Sequence, residues 1–145
     1  MQPISADQVR TEVRRFWDIF KRKSQTEFEG MYFPNATVFT STVSRSELAP
    51  LTIARRMRQF FGPKSKIEIE LGSIDVQLID NIAVASYSYS FRGTEVRENG
   101  TSVGHEVPSG RGTQIFQLDG RNSLRILHEH FSSGEAPKAD TTVEI

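Results

Sequence analysis

The chain has no cysteine. Disulfides, thiolate nucleophiles and thiolate metal sites are therefore excluded together. It also lacks net charge, with 18 Lys and Arg against 18 Asp and Glu, so no global field draws it to nucleic acid. Basic clusters do occur in RTEVRR, KRK and ARRMRQ, but on amphipathic helices such clusters are mostly the solvated face. No apolar run approaches the roughly 18 residues of a membrane-spanning helix, and MQPISADQ lacks the basic and apolar regions of a secretory leader. The expectation is a cytoplasmic protein with neither nucleic acid nor membrane as partner, in which the NAT at Asn35 and the NGT at Asn99 are turn chemistry rather than glycosylation sites. No cofactor is implied.

What is present fits one domain of 145 residues, with a core from about residue 5 to 133 and a polar tail over 134–145. Ser5 and Gln8 form a capping-box pattern, and Val9, Val13, Phe16, Trp17 and Phe20 follow at helical spacing, predicting a helix from Ala6 to Lys23. TEFEGMY suits a short second helix, FPNA a turn and TVFTST a strand. A further helix is signalled by Pro50 in its first turn, by Met57, Phe60 and Phe61 on one face, and by Gly62 and Pro63 at its end.

From Lys66 the period becomes two. Ile67, Ile69 and Leu71 alternate, then Ile74, Val76 and Leu78, with the phase slipping across Gly72-Ser73, where a β-bulge keeps all six on one face. A tight turn at Asp80-Asn81 pairs Leu78 with Ala83, Val76 with Ala85 and Ile74 with Tyr87, placing Tyr87, Tyr89 and Phe91 toward the core. Residues 93–109 read as a polar hairpin arm tipped by Asn99-Gly100, and GRGTQIFQL pairs with LRILHEHFSS around DGRNS. Helices followed by a bent antiparallel meander define an α+β domain. The tail segment TTVEI is β-compatible and suits a sheet edge or a partner surface.

Three histidines are present, and two of them flank Glu129 in His128-Glu129-His130. On a strand this cluster splits, the histidines to one face and the carboxylate to the other. A metal site would need His105 from the arm as third ligand, and nothing fixes it there, so no metal is expected. Counting straight back from the DGRNS turn pairs Thr113 with Glu129 and Arg111 with Phe131, so that Arg111, Thr113, Ile115, Leu127, Glu129 and Phe131 share a face. Both faces of this hairpin are apolar and need cover, one from helices and one from a partner subunit.

FWDIFKRKSQTEFEGMYFPNATVF, GRGTQIF and LRILHEHFSS together resemble the nuclear transport factor 2-like superfamily. The branch they are most similar to is the SnoaL-like proteins, which also resemble the association domain of calcium/calmodulin-dependent protein kinase II. The resemblance spans Val9 to Ser133. It implies a cone of curved antiparallel sheet wrapped around N-terminal helices, a cystatin-like fold, with a pocket inside and a homodimer through the outer sheet face. Carried onto this chain, the pocket residues are Trp17, Tyr32, Phe60 or Phe61, Tyr87, Tyr89, Arg111, Thr113, Glu129 and Phe131. Phe116, His128 and His130 then lie at the subunit interface.

Three functions follow as expectations. One is a homodimer binding a small, partly apolar molecule, with Arg111 as counter-charge to an acid. Another is an isomerase, cyclase or dehydratase with Glu129 as general base and a tyrosine stabilising an enolate. The last is an association module with a vestigial pocket, in which Arg111 and Glu129 are only a buried ion pair.

Overall fold

A computed structural model describes residues 3–40 and 45–133. Helix α1 (Ala6–Arg22) opens on the full capping box, with the Gln8 amide donating to Ser5 Oγ at 3.1 Å and the Ser5 amide to Gln8 Oε1 at 2.8 Å. It closes on Lys23, a left-handed residue (φ 59°) whose Nζ reaches across to donate to the Gly62 and Ser65 carbonyls. Its buried stripe is Val9, Val13, Phe16, Trp17, Ile19 and Phe20. Helix α2 (Gln25–Gly30) contributes Phe28 to the same core, and α3 (Ala49–Phe60) carries its proline in the first turn, as the sequence predicts.

The strands are β1 (Tyr32–Thr40), β2 (Glu47–Leu48), β3 (Lys66–Ile79), β4 (Ile82–Val96), β5 (Ser102–Leu118) and β6 (Leu124–Ser133). They form one sheet in the order β2-β1-β6-β5-β4-β3. The predicted pairs Leu78 with Ala83, Val76 with Ala85 and Ile74 with Tyr87 are all present, and the register shifts between Leu71 and Ile74 as the phase slip requires.

Two expectations differ from the structure here. FPNA is not a turn but lies inside β1, where pairing with β6 is irregular between Tyr32 and Thr37 and so accommodates Pro34. Strand β1 also runs parallel to β6, so the antiparallel meander β3–β6 is extended into a mixed sheet. The last two residues of TVFTST and the tail segment TTVEI lie outside the described residues.

The helices fill the concave face. On the outer face, rows run across five strands: Thr37, His128, Ile115, Val84 and Gln77 in one, and Phe39, His130, Thr113, Ser86 and Asp75 in the next. Among the described residues no helix is long and apolar enough to cross a membrane.

The final hairpin departs from straight counting by one residue. Ile115 pairs with His128 but Phe116 pairs with Ile126, leaving Leu127 as an extra residue on β6. A one-residue slip exchanges the faces of everything beyond it. Gln114 therefore opposes Glu129, Gly112 opposes Phe131, and Phe116 turns inward, where it is fully buried in the core. Phe116 is thus a core residue and not an interface residue. Truncation by Phe116→Ala is expected to cost about 3–5 kcal/mol of folding stability by urea denaturation, whereas an interface role would leave the unfolding midpoint of the monomer nearly unchanged.

Candidate functional site

Glu129 stands on β6 facing the helices, with no exposed surface. A buried carboxylate needs donors, and three segments supply them. Arg56 of α3 donates from Nη1 to Oε2 at 2.9 Å, the Tyr32 hydroxyl at the start of β1 donates to Oε2 at 3.1 Å, and the Gln114 amide of β5 donates to Oε1 at 3.3 Å. Arg56 Nη1 also donates to Tyr32 Oη at 3.0 Å. The network runs on, since the Tyr87 hydroxyl donates to Gln114 Oε1 at 2.7 Å and the Trp17 indole N–H donates to Tyr87 Oη at 2.9 Å. The Gln114 amide is thereby fixed with its oxygen to Tyr87 and its nitrogen to Glu129. Among the described residues no buried side-chain nitrogen or oxygen is without a partner.

Aromatic rings wall this chain of bonds. Trp17 stacks on Tyr89 at 5.6 Å and meets Phe131 edge-on at 5.5 Å, and the Arg56 guanidinium lies over Phe131 at 5.4 Å. The strand that faces the rings is cut back to make room. A Cβ at Gly112 would stand 2.7 Å from Phe131, and one at Gly110 would collide with the ring of Tyr89. The GRG of β5 is therefore a same-face pair of glycines on which two rings lie.

Burial raises the Tyr32 pKa well above the usual phenol value, and the Glu129 charge adds to the shift. Tyr87 is likewise raised, by burial first and against the opposing Trp17 hydrogen bond. Tyr89 is raised by burial. For Arg56, burial works against the charge, but Tyr32 and Glu129 more than offset it and its pKa rises.

Of the residues singled out in the sequence, Trp17, Tyr32, Tyr87, Tyr89, Glu129 and Phe131 come together here. Phe60 is buried beside them, packed against Phe20, Phe91 and His105. Arg111 and Thr113 do not join, because the extra residue at Leu127 turns them outward. Arg111 is exposed and opposite Ser132 and Ser88, and Thr113 is half-buried beside His130. The expected Arg111–Glu129 pair is therefore replaced by Arg56–Glu129.

The histidines lie on the outer face, as strand alternation requires. His128 Nδ1 and the hydroxyl of Thr37 are 2.8 Å apart, and His130 packs on Phe39 at 5.3 Å. His105 pairs instead with Glu95 on the arm at 2.8 Å.

Two members of the network were not read from the sequence, Arg56 and Gln114. Their signals are present. Thr52, Arg56 and Phe60 recur at helical spacing on one face of α3, and Gly110, Gly112, Gln114 and Phe116 alternate on one face of β5.

No family model and no curated protein matches the sequence. Solved structures do match. A nuclear transport factor 2-like superfamily protein from Salmonella enterica serovar Typhimurium superposes with a TM-score of 0.70 at 16% identity, over 94% of this chain and 96% of its own. The association domain of the calcium/calmodulin-dependent protein kinase II of C. elegans gives 0.64 at 14% identity, over 88% and 93%. A cystatin-like protein from Caulobacter vibrioides gives 0.67 at 13% identity, over 89% of each.

All three tyrosines of the chain are in this site, and each is raised from its ordinary value of 10.0. A raised pKa means that the contribution to stability is complete below the unfolded value and is lost as pH rises past it toward the folded one. Alkaline titration followed by tyrosinate absorbance is thus expected to show no ionisation at about pH 10, then a single step coincident with loss of secondary structure. A separate tyrosinate step in the folded protein would contradict the burial of these hydroxyls. The chain has the fold of the nuclear transport factor 2-like superfamily, the fold also of kinase association domains and cystatin-like proteins.

Proposed function

We propose that the protein is a self-associating binder of a small, partly apolar molecule, taken up at the open end of the cone beside Arg56. One observation carries this reading. Arg56 spends only Nη1 on Glu129 and Tyr32, and its other N–H groups have no partner among the described residues yet are not sealed from solvent. Its side chain keeps 16% of its surface exposed while Glu129 keeps none. A guanidinium anchored on one side and open on the other, bordered by Phe131, Tyr89 and Trp17, suits a ligand with one polar group and an apolar body.

The same contacts disfavour Glu129 as a general base. Three donors occupy its roughly four acceptor sites, and it has no exposed surface from which to meet a substrate. Self-association is supported by the outer face, where His128, His130, Ile115, Val84 and Thr113 form rows that the helices leave uncovered. The C. elegans neighbour, described as an association domain, has the same fold.

A thermal-shift screen with small carboxylic acids, polyketide-like and steroid-like compounds at fixed protein concentration tests binding. One class is expected to raise Tm, by the equivalent of about 2.7 kcal/mol at a hundredfold excess over Kd, and to change the emission of Trp17, the single tryptophan. No shift from any class overturns the binding reading. By sedimentation the wild type is expected to be a dimer and Thr113→Glu a folded monomer; a monomeric wild type overturns self-association.

A further inference from the structure

Hydrogen-bonding capacity around the cone is almost fully spent. Trp17, Tyr87, Gln114, Glu129 and Tyr32 satisfy one another. Two groups are left over. One is the solvent-reaching edge of Arg56; the other is the Tyr89 hydroxyl, which also has no partner among the described residues and is not sealed from solvent. Both border the same ring, since Arg56 lies over Phe131 at 5.4 Å and Tyr89 meets Phe131 at 5.7 Å with the rings perpendicular. Tyr89 is held in place by Trp17 on one side and by the bare backbone of Gly110 on the other.

We propose that the ligand is a monocarboxylate, held by the unspent edge of Arg56 and the Tyr89 hydroxyl. The inference rests on the binding reading above and adds the chemical class. Guanidinium N–H groups present parallel donors that match a carboxylate fork. Tyr89 supplies a further donor, and burial keeps it protonated.

Charge then limits the choice. The positive charge of Arg56 is already balanced by Glu129, so every negative charge on the ligand is a net charge in a partly desolvated site. One such charge is met by the two remaining donor groups, the Arg56 edge and the Tyr89 hydroxyl; the second charge of a phosphate monoester has no further positive group there, among the described residues, to balance it.

The test uses the whole chain with three matched chromophores, para-nitrobenzoate, para-nitrobenzamide and para-nitrophenyl phosphate, followed by quenching of Trp17. The benzoate is expected to bind at least about tenfold more tightly than the neutral amide or the dianion. Tyr89→Phe, which retains the ring, is expected to weaken the benzoate roughly tenfold and the amide much less.

Arg56→Gln alone strands Glu129, so the fork is tested in Arg56→Gln/Glu129→Gln, where the preference for the benzoate over the amide is expected to vanish. Equal binding of benzoate and amide by the wild type, or benzoate binding that Tyr89→Phe leaves unchanged, overturns the proposal. If none of the three quenches Trp17 while a compound of another class raises Tm, the acid class falls and the binding reading stands. If no compound of any class binds, both fall.

Discussion

The arrangement depends on one charge pair. Glu129 is placed inside the cone by the alternation of β6, and an unpaired carboxylate there would be expelled or neutralised at a cost of several kcal/mol. Arg56 meets that demand at 2.9 Å, and in doing so ties α3 to β6 and, through Tyr32, to β1. These are segments far apart in the chain, and the pairing of β1 with β6 is the parallel one, which no tight turn can enforce. The ion pair is thus a registration device as much as a site. It is satisfied only when helix, parallel strand and final hairpin all sit in their observed relation.

Around the pair, sequence economy is visible in β5. Its inner face reads Gly110, Gly112, Gln114, Phe116, which is two absences, one relay and one core ring. The absences let Tyr89 and Phe131 lie against the strand. The relay turns the Gln114 amide so that Trp17 and Tyr87 bias the donor presented to Glu129. A network satisfied from end to end is rigid. The unspent edge of Arg56 is consequently fixed in direction, and the ring of Tyr89 is held separately by its packing between Trp17 and Gly110, which reduces the ordering cost of binding.

Much of the fold was legible because its signals are local. The capping box at Ser5, the proline of α3, the bulge at Gly72-Ser73 and the turn at Asp80 each act within a few residues, and the structure contains all four. The site was legible only in part, for a reason equally specific. Leu127 is an extra residue directly after Ile126, and two adjacent apolar residues fit a strand with both faces covered as well as they fit a bulge, so no change of pattern marks it, and counting from the turn turned Arg111 inward in place of Gln114.

Arg56 was hidden differently. In ARRMRQ the basic residues look alike, and only the coincidence of Thr52, Arg56 and Phe60 on one helical face separates the inward arginine from Arg55, which pairs with Glu47 at the surface of α3. The parallel placement of β1 likewise has no local signature, because it is decided by contacts about ninety residues apart, such as Thr37 with His128.

A double-mutant cycle on Arg56→Met and Glu129→Gln, measured by urea unfolding, tests the central claim most directly. If the pair holds the cone together, Arg56→Met alone is destabilising by about 3–5 kcal/mol because it abandons the charge of Glu129. The double variant then recovers a large part of that loss, a coupling above about 1 kcal/mol. Additive single effects, with Arg56→Met costing no more than an exposed substitution, would contradict it.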